Sequence, residues 1–107
     1  MSEDVPAMIL ERLLRGEQVV LVTAYACDGR DVLEKVMRIA PRAGEVTPRL
    51  THGKITSQAG GSVQLVTDER GLRGRRADLV VIAGRLSRTL PIEAIHALRA
   101  EIHWAVR

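Results

Sequence analysis

Two continuous apolar runs dominate the hydrophobic pattern of the chain. Residues 17–25 contain four consecutive apolar positions, 19–22, and residues 77–83 contain a second run of the same kind. Runs rich in β-branched residues are typical of strands covered on both faces, as in parallel sheets. The pattern therefore predicts two neighbouring strands in the interior of a sheet.

A β-hairpin is predicted between these two runs. Residues 54–58 and 62–67 have the composition of strands, and they flank Ala59, Gly60 and Gly61. Glycine supplies the positive φ that tight turns need, so the hairpin turn is placed at these residues. Residues 41–48 hold two prolines and a glycine and are predicted to form a loop.

Helical periodicity predicts two helices in the first part of the chain. Residues 2–15 form the first, with Asp4 as its cap and Gly16 just past its end. Asp28 and Asp31 precede an amphipathic stretch and are predicted to cap a second helix, which Pro41 stops.

A long last helix is predicted from Thr89 and Pro91 to Trp104 or beyond. Its inward positions are expected at Ile95, Leu98, Ile102 and Val106. Helical spacing would then align four polar side chains on its outer face: His96, Arg99, His103 and Arg107.

This order of elements predicts one α/β domain over residues 1–107. Helix, strand, helix, hairpin, strand and helix imply three layers, with helices on both faces of a mixed, mostly parallel sheet. Binding sites in such sheets gather at the carboxyl ends of parallel strands, here residues 23–28 and 83–88.

Composition adds constraints on the core and the location. Aromatic residues make up 2% of the 107 residues, so the core must be aliphatic. No apolar run reaches about 18 residues and no charged, apolar leader precedes the first helix, which predicts a cytoplasmic protein without a membrane segment. Cys27 is the only cysteine, so no internal disulfide is expected.

Positive charge is concentrated in the later part of the chain. The net charge is +3, and from residue 70 onward eight arginines stand against three acids. Such asymmetry favours an acidic partner, either nucleic acid or protein. The alternative is a solvated surface in which arginine usage reflects genomic base composition.

Several segments together resemble the middle of the ATPase domain in large terminase subunits, the DNA-packaging motors of tailed phages. In family order they are VVLVTAY (19–25), DGRDVLEKVMRIAP (28–41), ITSQAGGSVQLVT (55–67), RGLRGRRADLVVIAG (70–84) and LPIEAIHAL (90–98). The resemblance covers residues 19–98 and implies a phage or prophage origin and a degenerate P-loop or Rossmann-like sheet.

The sequence lacks the residues with which that family binds and hydrolyses a nucleotide. No G-x-x-x-x-G-K-[ST] loop occurs to wrap a nucleotide phosphate. The strand that should end in magnesium-binding carboxylates is followed by Ala83 and Gly84. Asp68 and Glu69 are the nearest substitutes and are better explained as loop acids. Phosphoryl transfer would lack its electrostatic groups.

Other catalytic arrangements are not supported. Cys27 precedes a predicted helix N-terminus, where a thiol pKa can fall, but no histidine lies near it in sequence. His96 and His103 would stand roughly 10 Å apart along a helix, too far to share a metal. No cofactor, metal or catalytic residue is therefore expected.

The sequence favours a non-catalytic binding module, a small phage-encoded protein that engages a bacterial host protein or nucleic acid. Its binding residues would be the loop arginines Arg70, Arg73, Arg75 and Arg76 and the last-helix residues His96, Arg99, His103 and Arg107. The alternative is an accessory subunit of a nucleic-acid-handling ATPase or nuclease whose catalytic site a partner completes. A homodimer through the exposed hairpin edge is also possible.

Overall fold

A computed structural model describes residues 5–40, 46–72, 74–83 and 92–105. Within these ranges the strands are β1 (Gln18–Val22), β2 (Val46–Arg49), β3 (Lys54–Ser57), β4 (Ser62–Val66), β5 (Leu79–Ala83) and β6 (Glu101–Ala105). The helices are α1 (Val5–Leu14), α2 (Ala26–Ile39) and α3 (Ile92–His96).

The six strands form one mixed sheet in the order β2-β3-β4-β1-β5-β6. β1 lies at the centre and pairs in parallel with both β4 and β5. β5 also pairs in parallel with β6, whereas β2, β3 and β4 are antiparallel neighbours. The two apolar runs are thus adjacent interior strands and the hairpin is present, as the sequence predicts.

Helices α1 and α2 cover one face of the sheet. Ile9 and Leu13 of α1 and Leu33 of α2 are fully buried against strand residues of this face, which include Leu21 and Val81. We refer to it as the helical face. Burial of each such side chain contributes roughly 1.5–3 kcal/mol, so this layer supplies much of the stability.

The opposite face carries a second buried cluster. Leu72 and Ile95 pack on Val20, Val80 and Ile82 to form it. In the part of the chain that the structure describes, β2 and β3 contribute no side chain to that cluster. The domain is thus a three-layer α/β fold, and among the described residues its second layer stops short of the β2–β3 half of the sheet.

The prediction of a long last helix is wrong. α3 has five residues, and a turn follows in which Arg99 adopts a left-handed φ of 53°. The chain then forms β6, because β5 offers an open row of backbone donors and acceptors that a parallel strand satisfies. Val106 lies outside the described residues.

Two boundaries near α2 also differ from the sequence predictions. The residue that precedes α2 is Tyr25, which makes no side-chain capping bond, and Asp28 and Asp31 lie inside the helix. Part of the predicted 41–48 loop is β2, where Pro48 is tolerated because an edge strand leaves one side unpaired. Asp4 and Pro41 lie outside the described residues.

Candidate functional site

The arginine-rich segment after β4 forms a compact turn with a buried anchor. Asp68 accepts a hydrogen bond at 3.1 Å from the backbone N–H of Gly71, which closes a short 3-10 turn over Glu69–Gly71. Leu72 then inserts into the second core cluster with 3% of its surface exposed. The turn is therefore fixed to the sheet close to Arg75 and Arg76.

Arg75 and Arg76 extend from this turn into solvent. The Nε of Arg75 donates to the carbonyl oxygen of Gly71 at 2.8 Å, which orients its guanidinium group. Both arginines, with Gly74 and Gln18, line a shallow concavity of about 490 Å³. We call Arg75 and Arg76 the loop cluster.

The loop cluster lies at the amino ends of the central strands. Asp78, just before β5, bonds to the first residue of β1: its N–H donates to the Gln18 carbonyl at 2.7 Å, and its carboxylate accepts from the Gln18 N–H at 2.8 Å. This end is opposite to the carboxyl ends, where the sequence placed a chemical site. There, Thr23 is buried and its hydroxyl donates to the Tyr25 carbonyl at 2.8 Å.

Carboxylates do not neutralise the loop cluster within the described ranges. The ion pairs found there involve Arg12, Arg15 and Lys35, and none includes Arg75 or Arg76. Arg70 is exposed on the 3-10 turn and is in none of them either, while Arg73 lies outside the described residues. The guanidinium charges of the loop cluster are thus directed to solvent.

Arg12 is a structural arginine. Its guanidinium group donates to the Glu17 carboxylate at 2.9 Å and to the Glu101 carboxylate at 3.0 Å. These hydrogen bonds, first that to Glu17 and then that to Glu101, raise the pKa of the Arg12 guanidinium above its ordinary value. Its side chain is only 19% exposed. These contacts join α1 to the edge strand β6.

The three described residues among the four predicted on one face of the last helix do not share a helical face. His96 ends α3 and is exposed, and Arg99 lies in the left-handed turn. His103 is partly buried in β6, where its pairing with Val81 places it on the helical face. Arg107 lies outside the described residues. The predicted basic helical stripe is therefore wrong.

A second group of polar side chains, which includes two cations, was not among the sequence candidates. Arg49, His52, Lys54 and Thr56 line a shallow concavity of about 430 Å³ on the β2–β3 hairpin. Arg49 and Lys54 are direct cross-strand partners. Sequence reasoning missed this pairing because β2 was predicted as loop. The signal that could have indicated it is a cation on each side of the T-H-G turn at residues 51–53.

The remaining chemical candidates are isolated. Cys27 is exposed near the start of α2, with its Sγ 3.9 Å from a carboxylate oxygen of Asp28. No group of three or more potential metal ligands among His, Cys, Asp and Glu occurs in the described ranges. No helix within those ranges is long and apolar enough to cross a bilayer.

Comparison with known proteins does not assign the chain to a class. No protein-family model matches it, and no curated protein matches its sequence. The resemblance to terminase ATPase domains therefore stays a prediction from the sequence.

Proposed function

We propose that this protein is a non-catalytic binding module whose loop cluster contacts the phosphates of a nucleic acid. The observation that carries the proposal is the pair of exposed, consecutive arginines, Arg75 and Arg76, that have no ion-pair partner within the described residues. Arginine presents several N–H donors in a planar fork that fits phosphate oxygens.

The geometry of the turn favours a phosphate ligand over a purely solvated surface. Since Arg75 uses its Nε to bond the Gly71 carbonyl, part of the side-chain entropy is already lost and the Nη groups remain available. The anchor of Leu72 in the core gives the loop a fixed base. A pre-oriented donor group binds an anion at a lower entropic cost than a free one does.

The scaffold supports the non-catalytic part of the proposal. The connection between β1 and α2 comprises only residues 23–25, which is too short to wrap a nucleotide phosphate in the manner of a glycine-rich loop. The Asp68 carboxylate already accepts the N–H of Gly71. We infer a degenerate P-loop-like sheet from a phage-encoded protein that acts in the cytoplasm of a bacterial host.

The proposed absence of catalysis has a direct test. Purified protein with Mg²⁺ and ATP or GTP should release no phosphate above the blank. If wild type hydrolyses the nucleotide and Asp68→Ala or Glu69→Ala abolishes that activity, the non-catalytic hypothesis is wrong. The alternative of an ATPase accessory subunit is then favoured.

Nucleic-acid binding is tested by fluorescence anisotropy with labelled oligothymidylate at about 50 mM salt, where phosphate contacts are strong. The double variant Arg75→Ala/Arg76→Ala should bind more weakly. Its slope of log affinity against log salt should flatten by about 1.4, since each lost contact with a single strand accounts for about 0.7.

The matched control is Arg30→Ala/Arg38→Ala. It removes the same charge from exposed positions of α2, on the helical side of the sheet. This control should leave the salt slope unchanged. If wild type fails to bind at about 50 mM salt, or if the two double variants weaken binding equally, the loop cluster is not a phosphate site and a protein partner is favoured.

A further inference from the structure

We propose that a single-stranded nucleic acid lies across the face of β2, β3 and the 62–64 part of β4 and contacts two cationic clusters at once. Within the described residues the second core cluster does not extend over this part of the sheet, which we call the uncovered face. The first cluster is the loop cluster; the second is the hairpin cluster, which we define by its two cations, Arg49 and Lys54, together with His52, which lines the same concavity. This inference rests on the proposed function and adds a second contact site and a path between the two.

Strand register places the hairpin cluster on the uncovered face. Lys54 pairs with both Arg49 of β2 and Gln64 of β4, and Gln64 pairs with Val20 of β1. Paired residues of adjacent strands share a face of the sheet. Val20 belongs to the second core cluster, so these polar residues lie on the same face of the sheet as Leu72. They are not themselves members of that cluster.

The hairpin cluster holds like charges in direct opposition. Cross-strand neighbours have Cβ atoms about 5 Å apart, and two cations in that position repel each other. Neither Arg49 nor Lys54 takes part in any ion pair within the part of the chain that the structure describes. Lys54 is also partly buried, which limits its hydration. A bound anion would offset both the repulsion between the two cations and the limited hydration of Lys54.

A row of polar residues across β3, β4 and β1, which we call the polar floor, connects the two clusters. Thr56 pairs with Ser62, which pairs with Gln18, the residue that also lines the concavity of the loop cluster. The Ser62 hydroxyl donates to the Gln18 side-chain oxygen at 2.5 Å, and the Gln18 amide donates to the Gly60 carbonyl at 2.9 Å. The three side chains of this row are uncharged. The Asp78 carboxylate lies beside the row, where it accepts from the backbone N–H of Gln18.

The span suits a short stretch of a nucleic-acid strand. Thr56 of β3 and Gln18 of β1 lie two strand spacings apart, about 10 Å. At roughly 3.4 Å per nucleotide of a stacked strand, this row alone spans about three nucleotides, and the two clusters lie at its two ends. A strand somewhat longer than this can therefore place different phosphates on the two clusters simultaneously.

The surface favours a single strand bound through its backbone. A flexible strand can follow a sheet face, as in proteins that bind single strands through charged grooves. The only aromatic residues of the chain are Tyr25, after the carboxyl end of β1, and Trp104, in β6 at the far edge of the sheet. Since neither can stack bases over this floor, affinity should depend on phosphates and little on base identity.

The test compares two double variants with wild type and with the Arg30→Ala/Arg38→Ala control, with labelled oligothymidylate of about 15 nucleotides as the probe. Arg49→Ala/Lys54→Ala and Arg75→Ala/Arg76→Ala should each flatten the salt slope by about 1.4, and the quadruple variant by about 2.8. Circular dichroism and thermal melting verify that each variant is folded.

The outcomes separate this inference from the proposed function. If only the loop-cluster variant weakens binding, the path across the sheet is wrong and the proposed function stands. If wild type does not bind the probe, both fail. Oligoadenylate that differs from oligothymidylate by more than about tenfold, or a duplex that competes more strongly than the single strand does, would overturn the choice of ligand.

A readout without nucleic acid tests the repulsion within the hairpin cluster. Lys54→Gln keeps much of the lysine stem and removes one of the two opposed charges. At low salt its melting temperature should equal or exceed that of wild type, and the difference should shrink as salt screens the repulsion. A lower melting temperature that salt does not change would show that Arg49 and Lys54 do not repel each other, which removes the main argument for an anion at this position.

Discussion

Replacing Gly61 by alanine should separate the end of α1 from the β3–β4 turn. Gly61 has no positive φ, so alanine meets no backbone restriction there. An added Cβ would instead overlap the carbonyl oxygen of Leu13 and lie 2.9 Å from its carbonyl carbon. Because these are backbone atoms of a packed helix, no side-chain rotation can relieve the contact.

The expected cost combines steric strain with lost hydrogen bonds. Ser57 bridges the two elements: its hydroxyl donates to the Leu13 carbonyl at 2.6 Å and accepts from the Gly61 N–H at 3.0 Å. Overpacking of this kind costs about 1–3 kcal/mol, and each weakened hydrogen bond about 1 kcal/mol. We expect the free energy of unfolding to fall by about 3 kcal/mol, a large fraction of the ~5–15 kcal/mol typical of a domain.

Urea denaturation and thermal melting measure this cost. The urea midpoint should fall without a change in m-value, and the melting temperature should drop by about 12 °C or more. Gly60→Ala is the matched control, since its φ is 90° and its added methyl meets no atom within 4 Å. The control should lose only about 1 kcal/mol through backbone strain. If Gly61→Ala costs no more than Gly60→Ala, the close approach of the turn to α1 is wrong.

Three further substitutions test the packing and polar contacts around the sheet. Leu33→Ala should lower the free energy of unfolding by about 2–5 kcal/mol in urea denaturation, since Leu33 is fully buried beneath α2. Thr23→Val should cost about 1 kcal/mol in the same assay, because it removes the hydroxyl bond to the Tyr25 carbonyl at the start of α2. Glu101→Gln should cost at most about 1 kcal/mol, less at high salt. The raised Arg12 pKa makes its stabilising contribution complete below the ordinary arginine pKa and lost only as the pH rises through the raised value, so melting temperatures of wild type and Glu101→Gln should differ equally at pH ~7 and pH ~9.

The centre of the sheet was predictable because its signal is local. The runs that became β1 and β5 are continuously apolar over residues 19–22 and 79–83, a pattern typical of strands that are buried on both faces. Residues 101–105 carried two patterns at once. Ile95, Leu98 and Ile102 have helical spacing, yet residues 101–104 also alternate between polar and apolar positions. Whether these residues form a helix or a strand depended on the open edge of β5. That edge is distant in sequence, so a local pattern does not indicate it.

The candidate site likewise has one part that is predictable from the sequence and one part that is not. Arg75 and Arg76 are adjacent in sequence, so their cluster was predictable from the chain alone. The hairpin cluster depends on register: Arg49 and Lys54 oppose each other only because β2 pairs with β3 through a strand that contains Pro48. Proline within a short polar segment is a loop signal, and it conceals an edge strand.

The central position of β1 has a consequence for how the chain folds. Val19 pairs with Val63 on one side and with Leu79 on the other, 44 and 60 residues later in the chain (63 − 19 and 79 − 19). During synthesis, this central strand is therefore made well before either neighbour exists. Until residue 66 or so has emerged from the ribosome, β1 presents two unpaired edges and four consecutive apolar side chains. Such a segment invites association with other chains and slow, nonlocal folding. Nascent chains that stop between β4 and β5 should therefore bind chaperones and aggregate, and those that extend past β5 should not.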